Sequence, residues 1–251
     1  MHVLLTNDDG IYAEGLRALY HCLTRRHKVT VVAPDRERSA VGHGITLHQP
    51  LRATRVSSGN GFCGIAVNGT PADCVKLAVL ELLDDRPDMV VSGINPGANV
   101  GVNINYSGTV AAAREGALYG LPAIAASVQG TGRKSYDDAA EFVCRLMEKT
   151  PAMSLPTGTV LNVNMPDIPL EQAAGVRFSR QDQELFAETV EKRTDPRNRH
   201  YFWQGCEAQT YTDPDADGAI LGQRFITITP ITCDATDYGV LETLKAWEND
   251  L

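Results

Sequence analysis

The chain has 251 residues, 43% hydrophobic and 22% charged, with 23 Lys and Arg against 31 Asp and Glu for a formal net charge of −8. That length suits one large domain or two small ones with a core that needs no staples, and the composition is ordinary for a globular protein. The acidic balance argues against a nucleic-acid polymer held by the overall field, and no apolar run approaches the ~20 residues of a membrane span.

The charge is uneven. Residues 1–125 carry 11 basic and 11 acidic side chains, so the whole excess of acid lies in residues 126–251. The six cysteines, Cys22, Cys63, Cys74, Cys144, Cys206 and Cys233, form no Cys-x-x-Cys pair. A zinc ribbon or thioredoxin-like motif is therefore excluded. Met1–Thr6 runs straight into Asn7-Asp8-Asp9, so no signal peptide is visible. The expectation is a reduced, cytoplasmic protein with scattered, mostly buried thiols.

Val3–Thr6 reads as a buried strand, and Leu16, Leu19, Tyr20 and Leu23 line one face of a following helix. Val29–Ala33 is the next strand, and Ile65–Val67 another. Thr70-Pro71-Ala72-Asp73 has the cap, proline and early acid of a helix start, and Val75, Ala78, Val79 and Leu82 carry that helix. Met89–Val91 reads as a strand, 94–106 as a long loop and Thr109–Tyr119 as a helix that Gly120 stops. Pro122–Val128 is a strand, Ser135–Thr150 a helix and Val160–Met165 a strand. Glu184–Glu191 and His200–Gln204 flank the turn Thr194–Asn198 as a long hairpin or arm. Phe225–Thr229 alternates as a strand does, and Val240–Trp247 forms a short terminal helix.

Strands alternating with helices imply an α/β fold, a Rossmann-like and mostly parallel sheet with helices on both faces. Continuous apolar strands fit burial on both sides. We expect a single domain over 1–251, with the Rossmann-like core and active site in about 1–130. Ligands of such sheets bind beyond the carboxyl ends of the strands, so the polar segments that follow each strand hold the chemistry.

The first such segment is Thr6-Asn7-Asp8-Asp9-Gly10. Adjacent carboxylates repel unless a cation or proton lies between them, and Gly10 permits the sharp turn that points both one way. A solvated turn is the plain alternative. The second is Ala33–Ala40, where Ser39 offers a neutral oxygen, and Arg36 and Arg38 either meet a phosphate or pair with Asp35 and Glu37. The third is Ser92–Gly101, whose Pro96, Gly97 and Gly101 put Asn95 and Asn99 on a loop. An Asn side chain offers an oxygen ligand and an amide donor, although Asn and Gly also simply make turns. The fourth is Tyr106–Val110, where Ser107 caps a helix and Gly108 allows close approach to the free N–H groups of its first turn.

Together these loops supply two carboxylates, a hydroxyl, an amide oxygen and an anion-binding helix start at one sheet edge. All-oxygen ligands select a hard cation such as Mg²⁺ or Mn²⁺. A hard cation beside a phosphate cradle is the equipment for phosphoryl hydrolysis.

These segments resemble the SurE family of stationary-phase survival proteins, metal-dependent nucleotidases. The resemblance also takes in Asn68–Cys74, Asn162–Pro166 and, more loosely, Thr212-Asp213 through Thr229-Pro230, and is poorest at about 181–210. It implies Asp8, Asp9, Ser39 and Asn95 as ligands of one divalent cation, Asp8 and Asp9 being catalytic. It implies phosphate binding at Asn95, Asn99, Ser107, Gly108 and Thr109. It further implies nucleoside monophosphate substrates, with 5′- and 3′-nucleotidase and short-chain exopolyphosphatase activities. Residues of about 181–251 would serve a homodimer or homotetramer.

The rival readings are a metal-dependent nucleoside N-glycosidase, which would release base rather than phosphate, and a non-catalytic nucleotide-binding regulator. A dinucleotide-binding oxidoreductase would need Gly-x-Gly-x-x-Gly where the chain reads Thr-Asn-Asp-Asp-Gly-Ile. A Cys-x5-Arg phosphatase loop is missing, since Lys28 stands six residues after Cys22, and adjacent rather than spaced acids disfavour an aspartyl-phosphate. Asp213–Gly218 copies the start of an EF-hand loop, but its twelfth position is Arg224, so a plain acidic turn is expected. His43 and His48, near the Ser39 loop, are read as structural or solvated, with contact to substrate as the alternative. Tyr201, Phe202 and Trp203 are read as packing in an arm or subunit contact rather than as a base-stacking platform.

Overall fold

The computed structural model describes residues 1–58, 61–133, 135–184, 188–206 and 211–248. Its strands are β1 (His2–Thr6), β2 (Lys28–Pro34), β3 (Ala53–Ser57), β4 (Cys63–Val67), β5 (Met89–Pro96), β6 (Ala123–Val128), β7 (Thr159–Met165), β8 (Val176–Phe178), β9 (Glu188–Thr194), β10 (His200–Cys206) and β11 (Ile226–Thr232). Its helices are α1 (Glu14–Leu23), α2 (Pro71–Leu77), α3 (Gly108–Leu118), α4 (Asp137–Lys149), α5 (Asp217–Gly222) and α6 (Tyr238–Lys245).

Nine strands form one sheet in the order β3-β4-β2-β1-β5-β6-β7-β11-β8. The run from β4 to β7 is parallel, whereas β3 and β11 lie antiparallel to β4 and β7. The expected α/β architecture is what the chain adopts. Its two cores follow from the two-residue period of the strands. Val3, Leu5 and Val91 pack with Leu16, Leu19 and Val143 of α1 and α4. Leu4, Val90 and Ala125 pack with Val75, Val110 and Ala113 of α2 and α3. Both faces of β1 are therefore covered, which is why it reads as an unbroken apolar run.

Local chemistry sets the helix starts. Thr70 accepts from the Asp73 N–H while Asp73 accepts from the Thr70 N–H, a complete capping box with Pro71 behind it. The Ser107 side chain accepts from the Val110 N–H. Gly120 ends α3 at φ +72, a backbone state that favours glycine.

The structure departs from expectation in several places. β5 continues through Pro96 rather than stopping at Val91, with a bulge between Ser92 and Asn95, so Asn95 stands on a strand opposite Ser127. Backbone pairing with β6 outweighs the breakers Gly93 and Pro96. Gly101–Asn105 forms a 3₁₀ turn inside the expected loop. β3, β8 and α5 were not anticipated, being short or exposed. Asp213–Ala216 forms the expected turn, with Ala216 N donating to Asp213 O at 3.2 Å, but Asp217 is buried and opens α5. Of the five cysteines given a burial state, Cys74 and Cys144 are buried, Cys22 and Cys233 half-buried and Cys63 exposed.

The arm takes the expected hairpin form, β9 against β10 with Thr194 opposite His200, as a separate two-stranded sheet. Residues 185–187 of the expected first strand lie outside the described residues. Tyr201, Phe202 and Trp203 are exposed on it.

Candidate active site

β1 delivers the two acids to the carboxyl edge of the sheet. Asn7 closes the turn beneath them: its Nδ2 donates to Gly10 O at 3.1 Å and its Oδ1 accepts from Gly10 N at 3.2 Å. Gly10 sits at φ +103. Asp8 is 5% exposed, and Thr109 donates its hydroxyl to Asp8 Oδ1 at 2.5 Å. A Cβ on Gly108 would stand 2.9 Å from Asp8 Oδ2, so this glycine also lets α3 approach the acid.

Asp9 differs from Asp8. Its Oδ2 is buried and has no hydrogen-bond partner among the described residues. Burial, then the neighbouring Asp8 charge, then Glu37, push its carboxyl up to about 7. Burial also raises Asp8, opposed by the Thr109 hydroxyl. A carboxyl raised by burial and by its neighbour's charge, with an orphaned oxygen, fits a bound cation.

The segment after β2 is tied in by its backbone, Arg38 N donating to Asp8 O at 2.7 Å. Ser39 is exposed and donates its hydroxyl to Glu37 Oε1 at 2.6 Å. Arg38 pairs within the protein, to Asn68 O at 2.8 Å and Asp35 at 3.6 Å. The following loop is latched twice: Gly42 N donates to Tyr106 O at 2.9 Å, and His43 Nε2 lies 2.8 Å from Glu115 Oε2. His43 is thus tied to α3 through Glu115, and His48 is exposed.

Asn95 donates its amide to Gly97 O at 2.6 Å, which leaves its side-chain oxygen as the atom to offer a cation. Asn99 is buried in an amide network. Its N–H donates to Asn164 Oδ1 at 2.7 Å, its Nδ2 to Ser127 Oγ at 2.8 Å, and its carbonyl accepts from Asn162 and Asn164. Ser107 caps α3, so the Gly108 and Thr109 N–H groups belong to the turn that a helix leaves without internal partners.

Sequence reading gave no role to Asn7, Asn164 or Asp217. Asn7 builds the acid turn, as above, and Thr109, expected at the phosphate, also holds Asp8. Asp217 accepts from Gly101 N with both oxygens, at 3.1 and 3.0 Å, and fixes the loop between Asn99 and Ser107 from the far end of the chain. A polar residue inside an otherwise apolar strand end was the available signal for Asn7 and Asn164. Asp217 had none beyond its acid cluster. Among the described residues no group of three or more His, Cys, Asp and Glu could hold a metal, so the candidate set rests on mixed oxygen donors. Among the same residues no helix is long and apolar enough to cross a membrane.

Residues 3–188 match the family model described as survival protein SurE. The chain belongs to the SurE family. It is 57% identical over 249 residues to 5′-nucleotidase SurE of Desulfatibacillum aliphaticivorans, covering 99% of this chain and 98% of that protein. It is 47% identical over 248 residues to the protein of the same name from Syntrophobacter fumaroxidans, covering 98% and 99%. The crystal structure of SurE protein from Aquifex aeolicus superposes with a TM-score of 0.85 at 36% identity, covering 99% of this chain and 100% of that one. A likeness that spans both halves carries the SurE fold through the C-terminal strands as well as the parallel core.

Proposed function

We propose that this chain is a divalent-cation-dependent 5′-nucleotidase, a phosphoric monoester hydrolase acting on nucleoside monophosphates. The observation that carries the reading is the buried, partnerless Asp9 Oδ2 beside Asp8, in a chain whose full-length relatives are named 5′-nucleotidase SurE. Asp8, Asp9, Ser39 and Asn95 would hold the cation, Mg²⁺ or Mn²⁺ by the hardness of the oxygen set. When bound, such a cation supplies Lewis-acid polarisation of the phosphoryl group and a more acidic water.

The chain's own residues do the rest. Thr109 fixes the Asp8 carboxylate, and Asn7 fixes the turn. The α3 start, with Ser107, Gly108 and Thr109, directs N–H groups at negative charge on the phosphoryl oxygens. The Asn99 network holds the neighbouring backbone in register. No side chain need become phosphorylated. The same site would admit 3′-monophosphates and short polyphosphates. The charge-balanced half holds every proposed ligand, so cation and helix start, not a basic surface, attract the substrate. The whole chain would work as one domain in the cytoplasm, with its core in about 1–130. The stretch 181–251, which carries the exposed aromatic hairpin, would join subunits into a dimer or tetramer.

Phosphate release from a panel of nucleoside monophosphates, with Mn²⁺, Mg²⁺ or chelator, tests this. Activity should need the cation and disappear in Asp8→Asn and Asp9→Asn, both still folded. Release of free base instead of phosphate would mark a glycosidase, and binding without turnover a regulator.

A further inference from the structure

Two cysteines far apart in sequence meet between α1 and α4. Cys22 and Cys144 are 122 positions apart, and their Sγ atoms lie 2.7 Å from each other. Both are free thiols. Non-bonded heavy atoms settle at roughly 3.5–4.0 Å, and sulfur is larger than carbon, so this pair is already inside ordinary contact. A disulfide closes at about 2.05 Å, a movement of less than ~1 Å from here. The neighbours are polar. Cys22 Sγ donates to Glu141 Oε2 at 3.3 Å, and Arg25 lies 3.8 Å from the same oxygen. A cleft of about 60 Å³ opens on the pair, bordered also by Arg26, His27 and Glu148. That space admits a molecule of water size.

We propose that Cys22 and Cys144 are a modification site, an intramolecular disulfide formed with hydrogen peroxide as oxidant, which staples α1 to α4. The Cys22 sulfur attacks one peroxide oxygen, the O–O bond breaks, and a sulfenic acid and one water result. The Cys144 sulfur then attacks the sulfenic sulfur, the S–S bond forms, and the S–O bond breaks to give a second water. Two thiols lose two protons and two electrons, and one peroxide becomes two waters. Burial pushes both thiols up, so the thiolate is scarce and the bond accumulates slowly.

The staple lies away from the acidic loop. α1 starts at Glu14, just after Gly10, and ends at Leu23, just before β2 begins at Lys28. Cys22 is thus near the amino ends of the strands and Asp8 at the carboxyl end. Closing so long a loop restricts the unfolded chain, so the expected effect is on stability.

The test uses the full-length protein, treated with hydrogen peroxide or with a dithiol reductant. Peroxide should lower the intact mass by about 2 Da, yield a Cys22–Cys144 linked peptide, and raise the thermal midpoint by roughly 5–10 °C. The reductant should reverse all three. Cys22→Ser and Cys144→Ala should lose the linked peptide and the gain, and Cys63→Ser should keep both. Differential alkylation of the unmutated protein gives the same answer without a variant. Linkage of either residue to another cysteine, a mass gain of added oxygen in place of the loss, or a linked pair without a thermal gain would each overturn the proposal. It stands independently of the nucleotidase reading.

Discussion

The Thr109 hydroxyl donates to Asp8 Oδ1 at 2.5 Å across 101 positions of sequence, so the start of α3 and the acid turn are one mechanical unit. Thr109 is wholly buried and Asp8 nearly so. Thr109→Val keeps the shape and removes the donor, leaving a buried carboxylate oxygen unsatisfied at a cost of about 1–3 kcal/mol. We expect a lower thermal midpoint and at least a tenfold loss of phosphate release. Gly108→Ala adds a carbon 2.8 Å from Asp8 Cβ, so it should displace the acid and cost more activity than Thr109→Val. Steady-state kinetics on both variants decide the matter, and an unimpaired Gly108→Ala would refute the close approach.

The proposed cation would relieve Asp9, whose buried carboxyl lies beside Asp8. At pH 8, above the value of about 7 to which Asp9 is pushed, it stands ionised beside Asp8 and Glu37. Asp9→Asn removes one of these like charges. In chelator the variant should melt higher than the unmutated protein, by about 3–6 °C for a gain on the order of 1–2 kcal/mol. Adding Mg²⁺ should raise the midpoint of the unmutated protein and leave the variant nearly unmoved. Differential scanning fluorimetry with and without Mg²⁺ reads both effects. A variant that melts lower in chelator would show that repulsion does not govern the site.

Much of this was legible in the sequence where the physics is local. β1 and α1 follow from an unbroken apolar run and from the three-four spacing of Leu16, Leu19, Tyr20 and Leu23. The acid pair was legible because adjacent carboxylates after a strand need a reason. β3 was not, since Ala53–Ser57 is a largely exposed edge strand with no buried face to leave a pattern. Asn95 was misplaced because Pro96, Gly97 and Gly101 signal a loop, and only the neighbouring strand reveals the bulge. The bonds from Thr109 to Asp8 and from Gly101 to Asp217 span 101 and 116 positions, and no local pattern encodes such meetings.

The latch between His43 and Glu115 should show in acid. The His43 ring holds the Glu115 carboxyl below its usual range, burial opposes this, and Lys76 assists. A depressed folded value means that the stabilisation is complete above the ordinary 4.5 and is lost as pH falls through the lower folded value. His43→Ala removes the first of these causes, so the acid side of its stability curve should shift to higher pH. Thermal midpoints from pH 3 to 7 for both proteins make the comparison. Superimposable acid limbs would mean that the His43 contact contributes nothing to the Glu115 carboxyl.

Asp217 offers the sharpest test of how the C-terminal region serves the site. Its carboxylate is wholly buried and accepts N–H bonds from Gly101, Asp182 and Gly218. Burial raises its pKa and these bonds oppose the rise, so the charge is held by backbone donors rather than by a basic side chain. Asp217→Ala strands buried N–H groups and should cost about 2–5 kcal/mol. Asp217→Asn keeps one acceptor oxygen but turns an amide donor towards those N–H groups, so it should rescue only part of the loss. Because Gly101 lies between Asn99 and Ser107, the residual folded Asp217→Asn should also turn over nucleoside monophosphate more slowly, with kcat falling more than KM rises. Urea melts give the stability order, and kinetics at a temperature where each variant is folded give the second effect. If Asp217→Asn were destabilised yet fully active, the carboxylate would support the fold without positioning the phosphate-side loop.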